Sequence, residues 1–172
     1  MPRKKKSELF SNLNVYFSDN FSSEEIANIT EAFGKIVPVK HVHYAEDSFA
    51  VTESQLSLIV ENPVIVFIIG YATGTIAEGF FKAIGSDLYQ KAKEKLKKTL
   101  KNRPEPKIGF KMFYNKVWIE ISAEPKNEKE LDAIFDTIND ARKMAINEIN
   151  NSQGQVNGII IKYEGYWNLE KI

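Results

Sequence analysis

His41 and His43 stand two residues apart and are the only histidines in the chain. On an extended strand, positions i and i+2 share a face and lie about 7 Å apart along the chain. Two imidazoles so placed could share a zinc or iron ion, with Glu46 or Asp47 as a third ligand. No further ligand stands at a recognised spacing. Val37 and Val39 share the face, so the pattern also suits half-exposed sheet. A second group lies in Gly70-Tyr71-Ala72-Thr73-Gly74-Thr75. An apolar run precedes it and a helical pattern follows. Gly70, Thr73, Gly74 and Thr75 could therefore cradle an anion against the free amides of a helix N-terminus. The phosphate-loop pattern itself fails, because no lysine precedes Thr75, and the glycine spacing does not fit a dinucleotide fingerprint. The alternative is a tight turn that uses glycine for its backbone freedom.

No other constellation carries chemistry. The chain has no cysteine, which excludes disulfides, thiolate metal sites and a cysteine nucleophile. No serine sits in a nucleophile elbow, and no carboxylate pair has a diagnostic context. The sequence assigns no catalytic residue and no cofactor.

Charge is balanced, with 23 basic and 23 acidic residues. No whole-chain field draws the protein to nucleic acid. Locally, a basic run extends from Lys91 to Arg103. Its exposed candidates are Lys91, Lys95, Lys98 and Lys101, which could meet phosphates or anionic lipid. They could equally form a solvated face whose stems cover apolar surface. No aromatic interrupts the run, which argues against nucleic acid. Between Pro63 and Ala77 there is no charge. The stretch 63–81 is shorter than the roughly 20 apolar residues of a spanning helix. It contains Gly70-x-x-x-Gly74, a spacing that lets helices approach in lipid. Six β-branched or aromatic residues, Val64 to Ile69, suit a fully buried strand instead.

The elements that would hold these groups read as follows. Residues 1–8 form a charged tail with no apolar segment behind it, so no secretory signal is expected and the expected location is cytoplasmic. Leu13, Val15 and Phe17 alternate with polar or amphipathic residues as in a strand. Ser22 with Glu25 is a capping box, and Ile26, Ile29 and Phe33 keep helical spacing after it. Residues 37–44 predict a second strand. The middle holds a short amphipathic stretch within 45–62. From Ile76 to Leu100 the apolar residues recur every four positions, which predicts one long amphipathic helix with Gly85 as its weak point. Arg103-Pro104-Glu105-Pro106 is the best linker candidate. Then Ile108 to Tyr114 and Val117 to Ile121 alternate around Tyr114-Asn115-Lys116 as a hairpin. Asn127 with Glu130 caps a long helix, and Ile159 to Tyr163 form a last strand. The fold class is α+β: a mixed or mostly antiparallel sheet with helices on one face, in the order β-α-β, helical middle, β-β-α-β. Residues 9–103 and 107–172 are two units that share one sheet or form two subdomains.

Function is bounded mainly by what is missing. The first expectation is a non-catalytic, intracellular interaction or assembly module whose partner is another protein or a second copy. Phe80, Phe81, Tyr89, Tyr166 and Trp167 are its candidate contact residues, since large aromatics favour interfaces. The alternatives are a membrane-associated protein inserting residues 63–81, and a domain binding a small anion at Gly70–Thr75 or a metal at His41 and His43.

Overall fold

The computed structural model describes residues 12–43, 63–101 and 103–172. The expected charged tail, the stretch within 45–62, and Glu46 and Asp47 lie outside them. The described residues form seven strands and four helices. In chain order these are β1 (Leu13–Phe17), α1 (Ser23–Gly34), β2 (Val39–His43), β3 (Val64–Tyr71), α2 (Thr75–Lys82), α3 (Asp87–Leu100), β4 (Lys107–Tyr114), β5 (Val117–Ala123), α4 (Glu128–Asn151), β6 (Gly158–Tyr163) and β7 (Trp167–Lys171). The class is α+β, as the hydrophobic patterning requires.

All seven strands join one sheet in the order β2-β1-β3-β4-β5-β6-β7. Neighbours alternate between parallel pairs (β1/β2, β3/β4, β5/β6) and antiparallel pairs (β1/β3, β4/β5, β6/β7). Each parallel pair is bridged by helix, since a parallel return needs a crossover connection. The two β-containing segments therefore share one sheet, and the Pro104–Pro106 stretch is the loop that brings β4 back beside β3. Arg103 ties this loop to the N-terminal unit. Its guanidinium reaches Glu25 at 2.6 Å, donates to the Asn20 carbonyl at 2.7 Å, and lies 4.2 Å over the Phe21 ring.

The helices lie on one face, and a chain of rings shows why. Phe67 of β3 and Phe110 of β4 stack at 5.2 Å. Phe33 of α1, Phe80 of α2 and Phe135 of α4 all meet this pair, and Tyr89 of α3 meets Phe80 and Phe135. Alternation along the strands supplies the rest: Ile65, Phe67 and Ile69, then Ile108, Phe110 and Met112, then Ile119 and Ile121 are all buried. The Val64–Ile69 run is thus a central strand. No helix among the described residues is long and apolar enough to cross a membrane.

The expected long helix is two. α2 ends at Lys82, the chain turns through Gly85 at φ +89°, and Ser86 caps α3 by accepting from the Tyr89 amide at 3.2 Å. A strict four-residue repeat overshoots a full helical turn by about 40° at each step, so one straight helix could not keep that stripe on the sheet. Two shorter helices can. Leu88, which belongs to the repeat, is accordingly 44% exposed, while Tyr89 takes the core position. A Cβ at Gly85 would meet nothing within 4 Å, so Gly85→Ala carries only the backbone penalty of a left-handed residue. Denaturant unfolding should show a loss of about 1–2 kcal/mol; no loss would mean that the turn relaxes.

Candidate functional site

The expected site residues are dispersed. Phe80, Phe81 and Tyr89 are buried in the core. They pack the helices onto the sheet, and their burial leaves a partner almost none of their surface. Tyr89 also donates its hydroxyl to the Phe135 carbonyl at 2.8 Å, and burial pushes its phenol well above the usual range. Lys91, Lys95, Lys98 and Lys101 are exposed along α3, with Lys101 within 4.0 Å of Glu128. β2 sets His41 opposite Val15 and His43 opposite Phe17. Among the described residues no group of three or more His, Asp or Glu side chains could hold a metal.

The Gly70–Thr75 segment divides into two features. Gly70, at φ +71°, sits at a bulge where the β3/β4 register shifts, a conformation that suits glycine. Gly74 is the N-cap of α2 and provides no side-chain cap, while Thr73 and Thr75 are exposed. Arg142 of α4 donates to the Ala72 carbonyl at 2.8 Å, lies 3.6 Å from Glu78 and stacks 4.2 Å over Phe81. Arg142 therefore stitches the turn to α4 through its hydrogen bond to Ala72, and α2 to α4 through its ion pair with Glu78.

Among the described residues, a different kind of arrangement stands at the β7 edge of the sheet. Trp167 opens this strand just after Tyr166 at the turn, whereas the sequence pattern predicts Ile159–Tyr163 as the last strand. Trp167 and Leu169 alternate with Asn168 and Glu170, a period-2 signal that could have revealed β7. Gly158 and Ile172 exchange both backbone hydrogen bonds, at 3.2 and 2.9 Å. Because bonded pairs alternate along an antiparallel ladder, Asn168 and Glu170 also turn their backbone groups toward β6. The amides and carbonyls of Trp167, Leu169 and Lys171 then point outward, along a sheet edge beyond which no strand lies among the described residues.

Side chains divide just as regularly. Trp167, Leu169 and Lys171 lie on the helix side, where Trp167 Nε1 donates to Thr137 Oγ1 at 2.9 Å and Lys171 meets Glu148 at 2.9 Å. Thr137 and Glu148 mark the flank of α4 that overhangs β7. Met144 lies on that flank between them and is 38% exposed. Trp167 and Leu169 are half-buried, and Tyr166 at the turn is 66% exposed. The result, among the described residues, is a backbone edge without a neighbouring strand beside an apolar seam of Leu169, Trp167 and Met144. Unpaired edges of this kind are templates for another strand. No protein-family model, curated protein or solved structure matches the chain.

Proposed function

We propose that the chain is a non-catalytic assembly module that pairs with a second copy of itself through β7. The observation that carries this reading is the self-complementarity of the β7 edge. Antiparallel pairing about Leu169 puts Leu169 opposite its own copy, Trp167 opposite Lys171, and Asn168 opposite Glu170. The first two pairs use the outward backbone groups. Lys171 then meets an indole face, a favourable cation–π pairing, and Asn168 can donate to a carboxylate. No like charges stand directly opposite. On the helix side the same two-fold brings the two α4 flanks together, covering Met144 and Leu169. Such an interface is isologous, the commonest arrangement in homo-oligomers. A net charge of zero leaves no long-range repulsion between copies.

Leu169→Lys tests this. It sets two ammonium groups face to face across the two-fold, while in a single copy a lysine stem can lie along the seam with its head in water. Sedimentation velocity at concentrations around 10 μM, a range suited to a small interface, should show wild-type dimers and Leu169→Lys monomers with unchanged circular dichroism. A wild type that stays monomeric, or a variant that still dimerises, would remove β7 as the assembly surface.

A further inference from the structure

The sheet face away from the helices carries a trough of about 660 Å³. Its origin is a single row of residues in register across four strands: Val66, Gly109, Ser122 and Lys162. Gly109 has no side chain and Ser122 a small one, so among the described residues the sheet is bare between the stems of Val66 and Lys162. An ion pair closes each end. Lys111 lies 3.7 Å from Glu120, and Lys107 lies 2.9 Å from Glu124. Lys111 is itself almost fully buried, and that burial holds its ammonium below the usual lysine range, partly opposed by Glu120.

The charges around the trough are equal in number but unequal in partners. Four lysines and four glutamates line it: Lys107, Lys111, Lys126, Lys162, Glu120, Glu124, Glu130 and Glu164. Every carboxylate has a partner: Glu120 and Glu124 the lysines above, Glu130 the Lys126 amide at 2.8 Å, and Glu164 the Asn168 side-chain amide at 2.8 Å. The ammonium groups of Lys126 and Lys162 have no such partner among the described residues. An incoming cation would compete for carboxylates already engaged, whereas an incoming anion finds lysines ready to bind it. Val64, Val66 and the bare backbone at Gly109 offer apolar and flat surface beside those lysines. The volume falls within the range of small-molecule sites, about 300–1,000 Å³.

We propose that this trough binds an amphiphilic organic anion, its apolar body over Gly109 and Ser122 and its carboxylate, sulfonate or phosphate head on Lys162. The site is on the opposite sheet face from the α4 seam, so it does not depend on assembly through β7.

The test uses 8-anilinonaphthalene-1-sulfonate as the probe, followed by fluorescence and by calorimetry on the full chain. Gly109→Val fills the floor. A Cβ there would lie 3.4 Å from the nearest Val66 methyl, close but accommodated by a small shift. Lys162→Met removes the head-group cation at an exposed position and spares the fold. Wild type should bind one equivalent saturably, Lys162→Met should weaken binding about tenfold, the effect of one charge-assisted contact, and Gly109→Val should abolish it. Inorganic phosphate should compete only weakly, because it lacks the apolar body. The proposal is overturned if wild type shows no saturable binding, if Lys162→Met binds as wild type does, or if phosphate alone competes as well as the amphiphile. Lys162→Met decides the matter even if Gly109→Val fails to fold.

Discussion

Phe135→Ala should destabilise the protein by about 3–5 kcal/mol, the usual cost of truncating a fully buried phenylalanine. Phe135 is the ring by which α4 meets four other elements at once. Its centroid lies 5.7 Å from Phe110, 6.2 Å from Phe67, 6.2 Å from Tyr89 and 6.4 Å from Phe33. These neighbours belong to β4, β3, α3 and α1, so no single element can collapse into the space left by the ring. Urea unfolding followed by circular dichroism measures the loss. A loss below about 2 kcal/mol would mean that the layer repacks easily, and the ring cluster would not be the centre of the core.

The second large effect concerns the buried lysine between α3 and α4. The Lys93 side chain is only 6% exposed, and its ammonium lies 3.0 Å from Asp136 and 3.4 Å from Asp132. Asp132 is shared with Lys97 at 3.3 Å. Removing both carboxylates, as Asp132→Ala with Asp136→Ala, strands a cation in an apolar seam. Breaking a buried pair costs roughly 3–5 kcal/mol. The aspartates are partly exposed, so water can replace some of what they supply, and we expect a loss of about 2 kcal/mol. Lys93→Met keeps the stem and drops the charge, and should come within about 1 kcal/mol of wild type, because apolar replacements of buried ion pairs are often neutral. Thermal and denaturant unfolding distinguish the two. Equal losses from both variants would mean that stem packing, not charge, holds the helices together.

Local chemistry was legible in the sequence and long-range pairing was not. The capping box is present as expected: Ser22 accepts from the Glu25 amide at 3.2 Å, and Glu25 accepts from the Ser22 amide at 2.8 Å. Asn127 caps α4 by accepting from Glu130 at 2.9 Å. The hairpin turn falls at Asn115 and Lys116, both with positive φ, the backbone that a two-residue turn demands. These features depend on residues within four positions of one another. The break at Gly85 was visible only as a weak point, since its decisive cause is the geometry of the sheet that the stripe must follow. The order of the strands could not be read, because the β1/β3 and β3/β4 pairings join segments more than 30 residues apart and depend on burial across the whole sheet. The candidate sites divide in the same way. Tyr166 and Trp167 stand out in the sequence as aromatics, but the meaning of their position rests on which backbone groups of β7 point outward. The trough has no linear signature at all: Val66, Gly109, Ser122 and Lys162 become neighbours only through register.

Cysteine cross-linking at the proposed two-fold tests the assembly most directly. The chain has no cysteine of its own, so Leu169→Cys introduces the sole thiol. In a bonded antiparallel pair the Cα atoms stand about 5.5 Å apart, within the range a disulfide spans. Mild oxidation should convert Leu169→Cys to a covalent dimer on a non-reducing gel, reversed by reductant, while Lys91→Cys on the exposed face of α3 should remain monomeric. Failure of Leu169→Cys to cross-link, or equal cross-linking at both positions, would contradict pairing through β7.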